Sequence, residues 1–492
     1  GCAGMNKPVV WSIAGVDPSG LAGMQADMDT LQQFNVTACS VITAVTAQNE
    51  HQVTAIECIS PEHVASQCDA LLPSFTPSAI KIGMLGEPGT PEKLAALLNS
   101  YSGYVVLDPV LASSSGTPLF FSDLKRHREQ LVRLLPYADV VTPNRIEAEV
   151  LLNRSLSSFR DLEEAAHALT GMGAKSVLLK GGHHKDPLFS QDYWTNGHDS
   201  FWLAGKRASE LNYRGTGCVL SSAIAASLAL GYCVKDAVVI GKMYVQRGIR
   251  HALRLNRHTA RLFHNGWPEG QEDLPYLSPA PMTQLPKPFP SCWTGLYPVV
   301  DHSGWLNTLL PIGIKTIQLR IKNAPESLLE EEIRRSVALA RQYGATLFVN
   351  DYYEHAIHLG ATGVHLGQDD LLAADVDEIR RAGLYLGVST HCYYEVARAH
   401  AINPSYIACG PVYPTTSKIM AFKPQGREQL HRWRRTLRYP LVAIGGINLV
   451  KLPEVLATGV DGIAMISAIT SARDPVAAAQ QLLTRVSELR YE

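Results

Sequence analysis

The chain has almost no net charge. Its 44 Lys and Arg face 45 Asp and Glu, a formal balance of −1, so it carries no electrostatic footprint for nucleic acid or an acidic membrane. No apolar stretch approaches the ~18 residues that span a bilayer, and no membrane partner is expected. The nine cysteines are an odd number, scattered without CxxC pairs, which points to reduced thiols in the cytoplasm. The opening "GCAGM" lacks the basic and apolar regions of a signal peptide, and Gly1 to Gly4 are expected to precede a native Met5. Apolar residues, by contrast, are plentiful. With 46% hydrophobic and 18% charged residues over 492 positions, two or three domains are expected, each able to bury a core.

From Pro8 to about Ala252, strand-like runs ("VVWSIAG", "AIKIGML", "YVVLDPV", "SVLLKGG") alternate with helix-like stretches such as "DLEEAAHALTGMG". That alternation predicts a mostly parallel sheet covered by helices. Prolines then crowd positions 268, 275, 279, 281, 286, 288 and 290. No helix or central strand tolerates this density, so residues 266–292 are expected to form an extended, semi-stiff linker between domains at 5–265 and 293–492. Beyond it come eight short apolar runs, from "TGLYPVV" to "GIAMIS", separated by helical segments. Eight such units predict a TIM (β/α)8 barrel, with polar residues just after each run, where barrels keep their chemistry.

The stretch "RGTGCVLSSAIAAS" places Gly215, Thr216 and Gly217 at the start of a helix, with Cys218 behind them. Converging backbone amides and the positive helix end suit a phosphoryl group. A thiol there is expected to have a lowered pKa and to serve as base or nucleophile. A tight turn with a buried cysteine would read the same from these four residues alone.

The surrounding motifs separate the two readings. "IAGVDPSGLAGMQAD", "VITAVTAQN", "KIGML", "DPV", "TPNRIEAE" and "KGGH" occur in the order and spacing of one family. This half resembles the hydroxymethylpyrimidine and phosphomethylpyrimidine kinases of the ribokinase-like superfamily. The resemblance implies a three-layer α/β/α domain with ATP as co-substrate and Mg²⁺. It implies that Cys218 takes the proton of the attacking group and that Lys180 neutralises the transferring phosphate. Gly15, Asp27, Gln48 and Met84 would form the pyrimidine pocket. Asn144 and Glu147 would form a magnesium–phosphate element acting through water, and Gly215 to Gly217 would hold phosphate. Two departures stand out: Arg214 precedes GTGC where a small polar residue or histidine is expected, and the loop "LASSSG" has no lysine. His183 and His184 are assigned no role.

In the second half "QLRIK" ends a strand with Arg320 and Lys322 at i, i+2, a pair suited to clamping a diphosphate. Asp351 and the Asp369–Asp370 pair follow two other strands and suit Mg²⁺, which takes few protein ligands. Asn350, Ser389, the "YPTTSK" loop with Lys418, and the "AIGG" and "AMIS" turns complete the set. Together these resemble thiamine-phosphate synthase from Leu296 to about Ala478. The resemblance implies that Gln318, Leu319, Arg320, Ile321, Lys322, Asn350, Ser389 and Lys418 bind a pyrimidine diphosphate. Asp351 and Asp370 would bind Mg²⁺, and Thr415, Thr416, Ser417, Gly446, Ile466 and Ser467 a thiazole phosphate. Ser417 stands where the family usually has threonine. The expected partners are these small molecules, with a homo-oligomer as an open expectation.

Overall fold

All four residues of the strand Ala79–Ile82 are buried, as are the six inner residues of Val9–Val16. Runs buried on both faces are what a parallel sheet between two helical layers requires. The computed structural model describes residues 6–113, 116–120, 123–181, 186–207, 212–415 and 424–490, and of Asn212 the backbone only.

The first unit is built on β1 (Val9–Val16), β2 (Thr37–Gln48), β3 (Val53–Cys58), β4 (Ala79–Ile82), β5 (Tyr104–Leu107), β6 (Val140–Val141), β7 (Val177–Lys180), β8 (Phe189–Thr195) and β9 (Ser200–Lys206). A small sheet of β10 (Asn212–Arg214), β11 (Leu253–Arg254) and β12 (Thr259–Arg261) flanks it, and β13 (Tyr276–Ser278) joins its far edge. The main sheet runs in the order β13-β9-β8-β7-β6-β5-β4-β1-β2-β3. Strands β1, β2 and β4 to β7 are parallel to one another, while β3, β8, β9 and β13 pair antiparallel at the edges. Helices Gly23–Gln33, Thr216–Ala229 and Val234–Arg250 pack together in one layer, and the five helices between Pro61 and Gly171 pack in the other. The result is the expected α/β/α sandwich.

In the second unit β14 (Gly295–Val300), β15 (Thr316–Leu319), β16 (Thr346–Asn350), β17 (Gly363–Leu366), β18 (Tyr385–Thr390), β19 (Tyr406–Cys409), β20 (Leu441–Ala443) and β21 (Gly462–Met465) close into a barrel. All eight are parallel, and β14 pairs with β21 to complete the ring. The eight apolar runs of the sequence are these eight strands. Among the described residues no helix is long and apolar enough to cross a membrane.

The proline-rich segment departs from expectation. The chain divides into residues 1–268 with 272–284, and 269–271 with 285–492. Within the first unit β13 pairs with β9 in the register Tyr276↔Ala204, Leu277↔Leu203 and Ser278↔Trp202. Leu274, Tyr276 and Leu277 are buried. The Arg250 guanidinium donates to both oxygens of Asp273 at 2.9 and 2.7 Å, and Gln191 bonds the backbone of Met282 in both directions. Within the second unit the Phe289 and Cys292 amides donate to Asn403 and Ser405. The segment is therefore not a free spacer. Proline is barred from central strands because it lacks an N–H, but an edge strand flanked by prolines keeps all its donors on the residues between them. Apart from residues 269–271, the first unit runs on to residue 284, within the span expected as linker.

Leu277 is 2% exposed, so Leu277→Ala is expected to destabilise the first unit by about 2–5 kcal/mol, the usual cost of emptying a core leucine site. Thermal unfolding should show one transition lowered and the other unmoved. A spacer residue would move neither.

Two candidate active sites

The parallel strands of the first unit open into one cavity of ≈ 730 Å³, lined at the ends of β1, β2, β4 and β5 by Gly15, Gln48, Met84 and Asp108. The helix Thr216–Ala229 begins at its wall. Gly215 caps that helix with φ = 78°, a left-handed conformation that favours glycine. A Cβ added to Gly217 would lie 2.9 Å from Lys180 Nζ, so the ammonium sits against bare backbone. Residues 180 and 217, far apart in sequence, thus meet where the helix presents its first amides.

Four groups act on Lys180. Burial pulls its pKa down, but Asp108, Glu147, Cys218 and Asp192 together raise it, so it stays charged. Glu147 is buried and its carboxyl is pushed up by burial and by Asp108, with Lys180 pulling it back. Asn144 and Glu147 are first of all a helix cap. Asn144 Oδ1 accepts from the Glu147 amide at 2.8 Å, and Glu147 Oε1 accepts from the Asn144 amide at 2.9 Å. This reciprocal pairing is the physical meaning of the N-x-x-E spacing. The Leu111 backbone also hydrogen-bonds the Glu147 carboxylate.

Two expectations need correction. Asp27 does not face the cavity. It is 0% exposed and accepts from Ser12 Oγ at 2.6 Å, Ser222 Oγ at 2.8 Å and Lys81 Nζ at 2.8 Å to each oxygen. Lys81, which the motif reading passed over, is the group that reaches the cavity wall. A charged residue inside the apolar run "AIKIGML" was its one signal, because a buried ammonium demands a buried acid. The second correction concerns Cys218. Its thiol is not lowered but pushed up to about 11, first by burial and then by Asp27 and Asp108; Lys81 and the Gly23 amide pull the other way. Loss of solvent is the largest contribution.

Gln48 lines the cavity, its amide nitrogen donating to Thr46 Oγ1 at 2.8 Å. Gly15 and Met84 touch, since a Cβ on Gly15 would fall 2.7 Å from Met84 Sδ. Thr216 stands half-buried on the same wall.

In the barrel a buried chain of hydrogen bonds crosses the interior. Asn350 Nδ2 donates to Gln318 Oε1 at 3.1 Å, and Gln318 Nε2 donates to the Tyr297 hydroxyl at 3.0 Å. The Tyr297 and Tyr406 hydroxyls are hydrogen-bonded to each other at 2.8 Å, and His365 bridges Tyr406 at 2.6 Å and Ser389 Oγ at 2.6 Å. Gln318, Asn350 and Ser389 were expected at the site. Tyr297, His365 and Tyr406, which join them, were not, because each looks like an ordinary member of an apolar strand. Their side chains point inward by the two-residue alternation of barrel strands.

That alternation also corrects the "QLRIK" reading. Leu319 and Ile321 are 1% and 8% exposed, so only their backbone can serve a ligand. Arg320 is half-buried and its guanidinium is pulled down by burial, while Lys322 is exposed. Asp351 adopts φ = 71°, a strained conformation for a residue with a side chain. Its carboxyl is raised by burial and by a hydrogen bond to Asp370, with Lys322 opposing. Asp370 is half-buried and Asp369 exposed. Two carboxylates forced together repel unless a proton or a cation joins them. As a pair of oxygen donors without nitrogen or sulfur, they fit Mg²⁺. Gly446 follows β20, and Ile466 and Ser467 follow the adjacent β21. Thr415 is half-buried. Thr416, Ser417 and Lys418 lie outside the described residues.

The first unit is thus a ribokinase-like domain with a phosphoryl-transfer site, and the second a TIM barrel with a polar, carboxylate-bearing mouth. Residues 17–262 match the phosphomethylpyrimidine kinase family and residues 296–469 the thiamine monophosphate synthase family. The chloroplastic thiamine biosynthetic bifunctional enzyme of Arabidopsis thaliana is 32% identical over 481 residues, covering 94% of this chain and 90% of that protein. The thiamine-phosphate synthase of Photorhabdus laumondii is 54% identical over 199 residues, 40% of this chain and 92% of that protein. Among solved structures, the phosphomethylpyrimidine kinase of Clostridium difficile aligns at 34% identity and a TM-score of 0.44, covering 49% of this chain and 100% of that one. The chain belongs to the bifunctional thiamine-biosynthesis enzymes, a phosphomethylpyrimidine kinase followed by a thiamine-phosphate synthase. Small-molecule substrates follow from this, with ATP as the kinase co-substrate.

With its pKa at about 11 against an ordinary 9.0, the Cys218 thiol is expected to alkylate on the order of 10²-fold more slowly than a free thiol at pH 8, since only the thiolate reacts. Site-resolved mass spectrometry after iodoacetamide treatment reads this, and the rate should climb steadily as pH rises.

Proposed function

We propose that the first unit phosphorylates the hydroxyl of 4-amino-5-hydroxymethyl-2-methylpyrimidine and then the resulting monophosphate. The second unit joins the diphosphate so formed to a thiazole phosphate. In each kinase step an acceptor oxygen attacks the γ-phosphorus of ATP, a new P–O bond forms, the β–γ bridge bond breaks, and ADP leaves. Lys180 and the amides at Gly217 and Cys218 stabilise the charge that spreads over the transferring group. Cys218 takes the hydroxyl proton in the first step. Only its thiolate can do so, which is why Lys81 and the Gly23 amide matter beside it. The monophosphate attacked in the second step is already anionic and depends less on a base.

In the synthase, the bond from the pyrimidine methylene to the diphosphate oxygen breaks with its electron pair on the leaving group. The thiazole nitrogen lone pair then captures the carbocation-like methylene. Asp351 and Asp370 would hold Mg²⁺, which when bound neutralises charge on the diphosphate. Arg320 and Lys322 add positive charge to the leaving oxygens, and Lys418 joins them by the same reading. No covalent nucleophile is needed. The eight described cysteines are free thiols, which supports a reducing compartment such as the cytoplasm.

The observation that carries this reading is the convergence of Lys180, the Gly217 backbone and Cys218 on one cavity. The test supplies hydroxymethylpyrimidine, ATP, Mg²⁺ and thiazole phosphate and looks for thiamine phosphate. Cys218→Ala is expected to cut its formation by about 10²–10⁴, the range for a lost general base, and supplying the pyrimidine diphosphate should restore it fully. Near-normal kinase turnover in that variant would demote Cys218 to packing.

Asp351→Asn and Asp370→Asn should each raise the Mg²⁺ concentration needed whichever pyrimidine is supplied, and Asp369→Asn should do so less. A larger effect at Asp369 would reassign the metal ligand.

A further inference from the structure

Arg214 closes β10 immediately before the Gly215 turn. It is 6% exposed, and its Nε is fully buried with no hydrogen-bond partner. Among the described residues its side chain makes no ion pair. Its electrostatic neighbours are Asp17 and Glu50, yet Asp17 is already engaged. One Asp17 oxygen accepts from the Ser19 amide at 2.9 Å and the Ser19 hydroxyl at 2.7 Å, and the other accepts from the Ala22 amide at 3.0 Å. A guanidinium nitrogen held out of water without a partner is costly, and the side chain lines the cavity with no protein anion among the described residues bound to it. Such a group persists where something absent from the free protein completes it.

The side chain lines the same cavity as Cys218 and Gln48. A guanidinium is built for an oxyanion and can take two phosphate oxygens at once. Two phosphate-bearing molecules visit this cavity in the proposed reaction, the donor nucleotide triphosphate and, in the second step, the acceptor monophosphate. Lys180 stands among Asp108, Glu147 and Asp192. Arg214 instead faces Asp17 and Glu50, which follow β1 and β2 at the end where Gln48 lies. That places it on the acceptor side.

We propose that Arg214 binds the phosphate of the monophosphorylated pyrimidine, and so selects that substrate for the second transfer over the unphosphorylated alcohol. This rests on the kinase reading above. In the first step the acceptor is a neutral alcohol and offers Arg214 nothing to grip. In the second, the acceptor brings the anion the guanidinium lacks.

The test compares Arg214→Gln with the wild-type full chain on the two acceptors separately, at saturating ATP. The expected result is a loss in kcat/KM for the phosphomethyl substrate that exceeds the loss for the hydroxymethyl substrate on the order of 10²-fold, the effect of charge-assisted hydrogen bonds. Arg214→Lys should recover part of the difference. The thermal transition of the ligand-free first unit should not fall in Arg214→Gln, because no protein partner is lost. The rise in that transition caused by phosphomethylpyrimidine without ATP should shrink. Equal losses on both acceptors, a KM increase confined to ATP, or a lowered transition of the free protein would each overturn the inference. A wild-type chain that phosphorylates neither acceptor would overturn the kinase reading and this inference with it.

Discussion

Beneath the kinase cavity, Lys81 and Asp27 form an ion pair with both side chains almost completely buried. Its members and their partners come from four separate elements. Lys81 lies on β4, Asp27 on the helix Gly23–Gln33, Ser12 on β1 and Ser222 on the helix Thr216–Ala229. Removing one partner of such a pair typically costs about 3–5 kcal/mol, because the other is left charged and dry. The pair therefore locks the two helix starts that border the site. Ser222 is one turn beyond Cys218, so the anchor that holds Asp27 also sets the face on which the thiol appears. The same ammonium partly offsets the burial that raises the thiol.

The barrel solves a similar problem with neutral groups. Its interior is a core rather than a pore, so polar side chains there must satisfy one another. The sequence of contacts from Asn350 through Gln318, Tyr297, Tyr406 and His365 to Ser389 does this. A network of this kind is rigid when complete. It fixes the amide of Gln318, the hydroxyl of Ser389 and the amide of Asn350 before any substrate arrives. The charged groups, Asp351, Asp370, Arg320 and Lys322, sit at the mouth, where solvent and ligand can neutralise them.

Both sites follow one rule. Groups that give shape are satisfied by protein, and groups that the proposed chemistry would use for their charge keep an open side. Lys180 beside Gly217 and the Asp351–Asp370 pair are the open charges. Glu147, read in sequence as a phosphate element, sits between the categories, with one oxygen committed to the cap of its own helix.

Local spacing carried much of this in one dimension. The eight barrel strands, the parallel core of the kinase sheet and the GTGC turn all depend on residues a few positions apart, where period and backbone geometry decide the outcome. The N-x-x-E spacing was read for phosphate and metal, and its helix cap was not foreseen. What the sequence could not determine were partnerships across long separations and the burial they bring. Asp27 was read as a pocket residue because its partners, Lys81 and Ser222, are 54 and 195 positions away. Cys218 was expected to be acidic from its helix position, yet desolvation and two carboxylates from other elements dominate. Tyr297, His365 and Tyr406 were silent until the barrel closed. The proline-rich segment looked like a spacer until β9 offered it an edge, because hydrogen bonding to a neighbour strand is a property of the assembled sheet.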